Sequence, residues 1–178
     1  MILLMGIAGS GKGTQGKMLA DNNGFHLIAM GDVIREYATD KQRERMMAGG
    51  LLDDQEVISM IDKMLASLPQ DEEVILDGFP RTIPQAEWLI GQVKAGRFQL
   101  NHAIHLVASR EAVKERLLDR ARADDNDAAI EQRFNEYELS TAPILDWLAD
   151  NGIEVENIDA VRSVETVYAD IVNHVTKS

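Results

Sequence analysis

Gly6-Ile7-Ala8-Gly9-Ser10-Gly11-Lys12 sets three glycines and a lysine between an apolar run, residues 2–5, and a helically patterned segment carrying Met18, Leu19 and Ala20. A strand, a glycine-rich turn and a helix in that order make a cradle for phosphate. The turn's backbone N–H groups point inward at phosphate oxygens, the helix N-terminus adds the positive end of its dipole, and Lys12 reaches the outer phosphates. A triphosphate fits such a nest. The usual pattern has Ser or Thr directly after the lysine to hold Mg²⁺. Here Gly13 precedes Thr14, which argues against a direct hydroxyl ligand.

A second set of residues also suits anions. Asp77-Gly78-Phe79-Pro80-Arg81 follows the third apolar run, which puts a carboxylate and a guanidinium at the carboxyl edge of a parallel sheet, where such sheets bind ligands. Asp77 can orient Mg²⁺ or its waters, or serve as an ordinary turn residue. Arg81 can offer a fixed fork to a phosphate or make a surface ion pair. Gly31-Asp32-Val33-Ile34-Arg35 sets another arginine on the first turn of a helix. Arg116 and Arg120 are four apart and share a helix face, with Arg122 and Arg133 to follow. Read from spacing alone, that cluster is either a phosphate clamp or a solvated face paired to Glu111, Glu115 or Asp119. His102, His105 and Trp88 lie in or beside apolar runs and are expected in the core or at strand edges.

Short apolar runs at 2–5, 25–28, 73–76, 103–107 and 153–157 alternate with helical patterns, the arrangement that generates a parallel sheet covered by helices. Val57, Ile58, Ile61, Met64, Leu65 and Leu68 draw one stripe at period 3.6, with Asp54 as the expected cap and Pro69 past the end. Another helix is expected from near Ser109, and a further one from about Asp127 until Pro143 bends or ends it. The polar segment 30–52, with its charged run from Lys41 to Arg45 and its Gly49-Gly50, reads as an insert standing off the sheet.

The 178 residues suit one domain with a full core, and 45% hydrophobic with 27% charged content excludes disorder and fibrous architecture. The formal charge of −12 repels nucleic-acid backbones and anionic lipid, so neither is an expected partner. Without cysteine there is no disulfide and no thiolate metal site. The apolar start breaks at Gly6 without a basic leader, and no window approaches a membrane span, so the expected compartment is the cytoplasm.

Gly9-Ser10-Gly11-Lys12-Gly13-Thr14-Gln15, Gly31-Asp32 with Arg35, Asp77-Gly78-Phe79-Pro80-Arg81-Thr82 with Gln85, and Arg122-Ala123-Asp124-Asp125 together resemble the adenylate kinase family over nearly the whole chain. The Gly13-Thr14 departure is itself what that family shows. The resemblance implies an α/β P-loop kinase fold, a five-stranded parallel sheet flanked by helices in a single domain over 1–178. It implies reversible transfer between ATP and AMP giving two ADP, with Mg²⁺ brought by ATP, in a monomer. Two inserts are implied: an AMP-binding one at 30–52 and a lid, here only a vestige at 120–125, because Ala121 alone separates Arg120 from Arg122.

Carried over by position, the family assigns Gly9, Ser10, Gly11, Lys12, Gly13 and Thr14 to the ATP phosphates. Arg116 would stack on the ATP adenine, Arg120 would touch its phosphates, and Arg162 and Val164 would flank the base. Met30, Gly31, Arg35, Gly50, Leu51, Leu52, Gly78, Phe79, Arg81 and Gln85 form the AMP side, and Arg122 and Arg133 clamp the transferring group and the AMP phosphate. Lys12, Arg81, Arg120, Arg122 and Arg133 would carry catalysis through positioning and charge, with Asp77 meeting the metal through water. Asp124 and Asp125 either hold the arginines or cap a helix. Gln85 offers a donor and an acceptor side by side, which suits the adenine edge. Met30 departs from the threonine common in the family. Uridylate and cytidylate kinases are similar too, but Thr82-Ile83-Pro84-Gln85 is adenylate-like; a nucleotide sensor that has lost catalysis is the alternative of another class.

Overall fold

A computed structural model describes residues 1–47, 52–69, 72–120 and 126–176. Five parallel strands form one sheet in the order β2-β3-β1-β4-β5. They are β1 (Ile2–Met5), β2 (His26–Ala29), β3 (Val74–Asp77), β4 (His102–Val107) and β5 (Val155–Asp159). Ile2 of β1 pairs with Ile75 on one side and His102 on the other, so the first strand lies at the centre. All four residues of β1 are buried, as expected of a parallel strand covered on both faces.

The helices are α1 (Lys12–Asn23), α2 (Met30–Tyr37), α3 (Asp40–Met47), α4 (Asp54–Ser67), α5 (Ile83–Lys94), α6 (Arg110–Arg120), α7 (Asp127–Glu136), α8 (Pro143–Asp150) and α9 (Val164–Val175). Strand periodicity divides the core between them. Leu3, Met5, Ile28 and Leu76 face one side, where α2, α4, α5 and α8 bring Val33, Ile61, Leu89 and Leu148. Ile2, Leu4, Ile75 and Ile104 face the other, against Leu19 of α1 and Ile171 of α9. A third cluster joins Ile7 of the glycine turn to Val113 and Leu117 of α6 and to Ile130 and Phe134 of α7. The packing of the glycine turn is thereby coupled to the helix pair that carries the arginines.

Three sequence expectations are corrected. The insert does not simply stand off the sheet: Met30, Val33, Ile34, Ala38 and Leu52 are buried in the main core, because α2 is amphipathic and lays its apolar side under the carboxyl end of β2. The cap of α4 is Asp53, whose side chain accepts from the Gln55 N–H, while Asp54 turns toward α5. The last strand begins two residues later than expected, because the Ile153 N–H closes the C-terminal turn of α8 on the Leu148 carbonyl. Near Pro143 the expected interruption takes a particular form: α7 passes into a π-helical turn over Tyr137–Thr141, closed by the Ala142 N–H on the Tyr137 carbonyl at 2.7 Å, and Pro143 opens α8 at a position that tolerates its missing N–H.

Candidate functional site

The carboxyl ends of β1, β2 and β3 open into a cleft of about 1070 Å³. That is larger than the roughly 300–1,000 Å³ usual for one small ligand. On one wall the glycine turn leads into α1. Gly9 has φ +84°, and a Cβ there would stand 2.9 Å from the Leu117 side chain and 3.0 Å from that of Val113, so only glycine lets the turn lie down on α6. Lys12 donates to the Gly6 and Ile7 carbonyls at 2.8 and 3.0 Å and so folds over its own turn. The Asp77 carboxylate approaches the same place: its Oδ2 is 3.6 Å from where a Cβ on Gly13 would sit.

The opposite wall belongs to Arg81. Gly78 has φ +79° and leaves room for the guanidinium, whose Nε donates to the Gly78 carbonyl at 2.9 Å. Burial lowers the pKa of Arg81 from its ordinary value; Asp77 opposes that shift, and Arg133 and Arg35 add to it. Arg35, Arg81 and Arg133 all line this cleft and are near enough for their charges to act on one another, with Asp77 and Asp32 beside them. Planar guanidiniums gathered in this way can grip an anion with several oxygens. Arg35 is paired to Asp32 at the mouth of the cleft.

Arg116 and Gln15 fix the third wall. Arg116 donates to the Ala160 and Val161 carbonyls at 3.0 and 3.1 Å, and Gln15, nearly buried, donates to the Val164 carbonyl at 3.0 Å. Both tie the loop between β5 and α9 to the phosphate side. Arg162 lies on that loop with its guanidinium 2.5 Å from Asp170.

Of the residues singled out from sequence, Gly9, Ser10, Gly11, Lys12, Gly13, Thr14, Gly31, Arg35, Leu52, Asp77, Gly78, Arg81, Gln85, Arg116, Arg133, Arg162 and Val164 line this one cleft. Met30 and Phe79 do not; both are fully buried in the core beneath it, with Trp88 edge-to-face on Phe79 at 6.0 Å. Gly50, Leu51, Arg122, the Asp124-Asp125 pair and the side chain of Arg120 lie outside the described residues, and with them the lid at 120–125.

Sequence reasoning passed over several supporting groups. Thr141, in the π-helical turn, donates to the Arg81 carbonyl at 2.9 Å. His105 of β4 bridges Asn157 of β5 at 2.7 Å and the Tyr137 hydroxyl at 2.8 Å, one turn beyond Arg133. Burial lowers the His105 pKa; the Asn157 hydrogen bond acts the other way, and Lys12 adds to the lowering. Burial alone raises that of Tyr137. A histidine in an apolar run gave no signal for this, since its partners come from distant segments. Gln15 stood within the glycine-rich run and could have been marked as a tether by its place one turn into α1.

Similarity to known proteins agrees with this geometry. The family model for adenylate kinase matches residues 4–153. The adenylate kinase of Phocaeicola vulgatus is 33% identical over 186 aligned residues, covering 99% of this chain and 98% of that one. That of Hyphomonas neptunium is 34% identical over 96% of this chain and 95% of its own. The Carboxydothermus hydrogenoformans adenylate kinase is 31% identical over 213 aligned positions, covering 99% of both.

Proposed function

The chain belongs to the adenylate kinase family, and we propose that it moves the ATP γ-phosphoryl group reversibly onto AMP, giving two ADP. It is a nucleoside monophosphate kinase of the adenylate kinase type. The observation that carries the reading is a single cleft with a glycine nest and Lys12 on one wall and the Arg81, Arg133 and Arg35 convergence on the other. One wall suits a polyphosphate and the other a monophosphate. In-line transfer needs little covalent chemistry from the protein, so the residues act by positioning and by stabilising spread negative charge.

In this mechanism Lys12 leaves its own carbonyls to meet the donor's outer phosphates, while backbone N–H groups from Gly9 to Thr14 hold the rest. Arg81, Arg35 and Arg133 hold the acceptor phosphate in line, and Arg120 and Arg122 complete the clamp on the transferring group. Mg²⁺ usually takes one or two carboxylates plus substrate phosphates. Asp77, the acidic side chain that approaches the nest, fits that donor set through water. The metal would neutralise charge on the phosphates. Arg116, planar and held by two carbonyls, offers its face to the donor base beside Val164 and Arg162. Gln85 reads the acceptor base. Residues 30–52 serve as the AMP-side insert and 120–125 as a minimal lid.

On this reading the enzyme works as a cytoplasmic monomer, and no described helix is long and apolar enough to cross a membrane. A coupled assay of ADP formation from ATP·Mg²⁺ with AMP, CMP, UMP or GMP tests the proposal. AMP should be the best acceptor by a wide margin. Faster turnover of CMP or UMP would make this a pyrimidine nucleotide kinase, and nucleotide binding without turnover would make it a sensor.

A further inference from the structure

A glutamine amide can read a base only if one of its two orientations is enforced, since a flip exchanges donor for acceptor. Gln85 is 2% exposed and borders the cleft. Its Oε1 accepts from the Arg81 backbone N–H at 2.8 Å, and its Nε2 donates to Oδ1 of Asp54 at 2.9 Å. The same carboxylate oxygen accepts from the Thr82 hydroxyl at 2.6 Å, which fixes the carboxylate in turn. Turning the amide over would set Nε2 against a donor and Oε1 against a carboxylate, replacing two attractions with two repulsions.

We propose that Asp54 is a positioning residue that sets acceptor-base specificity by locking the Gln85 amide in one orientation. The inference rests on the reading of Gln85 as the base contact. An amide has two N–H groups and an oxygen with two lone pairs, and the backbone and Asp54 engage one of each. One N–H and one lone pair remain on adjacent atoms. In the locked orientation they match a ring-nitrogen acceptor beside an exocyclic amino donor, the edge of adenine and also of cytosine. The flipped amide would match a ring N–H beside a carbonyl, the edge of guanine and uracil. Asp54 therefore discriminates amino bases from keto bases, while the choice between adenine and cytosine falls to ring size.

The test measures kcat/KM for AMP, CMP, GMP and UMP in Asp54→Ala, in Asp54→Leu, which keeps side-chain volume, and in Asp54→Asn. Ratios within one variant cancel any uniform loss of active enzyme, and thermal melting follows the fold. The AMP:GMP and AMP:UMP ratios should fall by roughly 10- to 100-fold in the Ala and Leu variants, the effect of one hydrogen bond with a charged partner. The AMP:CMP ratio should move by less than about twofold. Asp54→Asn, whose amide oxygen can accept both hydrogen bonds, should stay close to the parent ranking. A uniform change across all four acceptors, or none, overturns the inference. Gln85→Ala separates the two levels: if it collapses the AMP:UMP ratio while the Asp54 variants do not, only the role of Asp54 falls. If Gln85→Ala leaves that ratio intact, Gln85 is not the base contact, and the inference falls with it.

Discussion

Arg81→Ala separates a ligand-binding arginine from a structural one. Among the described residues the guanidinium makes one side-chain hydrogen bond, to the Gly78 carbonyl, and it is buried near two other arginines. Removing it costs about 1 kcal/mol of hydrogen bonding but also relieves a desolvated, crowded charge, so the stability of the unliganded protein should change by no more than about 1 kcal/mol. Binding is another matter. A hydrogen bond to a charged phosphate is worth about 1.5–3 kcal/mol, which at about 1.4 kcal/mol per decade weakens AMP by roughly 10- to 100-fold. At AMP equal to 100 times the parent Kd, ligand stabilises the parent by about 2.7 kcal/mol; the variant should keep only about 0.4–1.4 kcal/mol. Calorimetric titration with AMP and with ATP, and melting with and without AMP, read all these quantities. Equal weakening of AMP and ATP would refute the assignment of the two walls. A drop of several kcal/mol in the unliganded variant would make Arg81 a structural residue.

Three further outcomes are expected. Lys12→Met should reduce turnover by several orders of magnitude in the coupled assay while lowering stability by only about 1–2 kcal/mol, because it removes the phosphate cation and two hydrogen bonds to turn carbonyls; near-normal turnover would reject the cradle. Met30→Thr should destabilise by about 2–4 kcal/mol, seen as a lower Tm, since it shortens a fully buried side chain and introduces a hydroxyl into the core; a variant as stable as the parent would show that Met30 fills no essential space. The third concerns pH. His105 holds its pKa below the ordinary 6.5, so between the two values the unfolded chain binds more protons and stability falls as pH is lowered through that window. His105→Gln should flatten this part of the denaturation profile, and an unchanged slope would assign it to other groups.

The five strands were legible because each is a short apolar run bounded by turn residues, and the glycine nest because its chemistry is local. What sequence could not decide depends on partners far along the chain. Ile153 reads as strand but closes a helix on Leu148. Asp53 and Asp54 are equally good caps by type; Thr82 and Gln85, about thirty residues on, draw Asp54 away. Family position puts Met30 on the AMP side, yet the amphipathic α2 buries it in the core. The π-helical turn had only Pro143 as a sign, and a proline marks disruption without saying how the backbone absorbs it.

The central place of β1 has a consequence for biosynthesis. Ile2 finds its first lateral partner at Ile75 and its second at His102, so the most apolar strand leaves the ribosome some seventy residues before anything can pair with it. At about 5–20 residues per second that is a delay of several seconds. Throughout it, Ile2, Leu3, Leu4 and Met5 are a sticky segment with both edges open, the kind that chaperones hold and that aggregates when they do not. Folding of the nascent chain cannot close around β1 until β4 has emerged. Slow codons between β3 and β4 should therefore raise the aggregated fraction, and a pause placed after β4 should lower it.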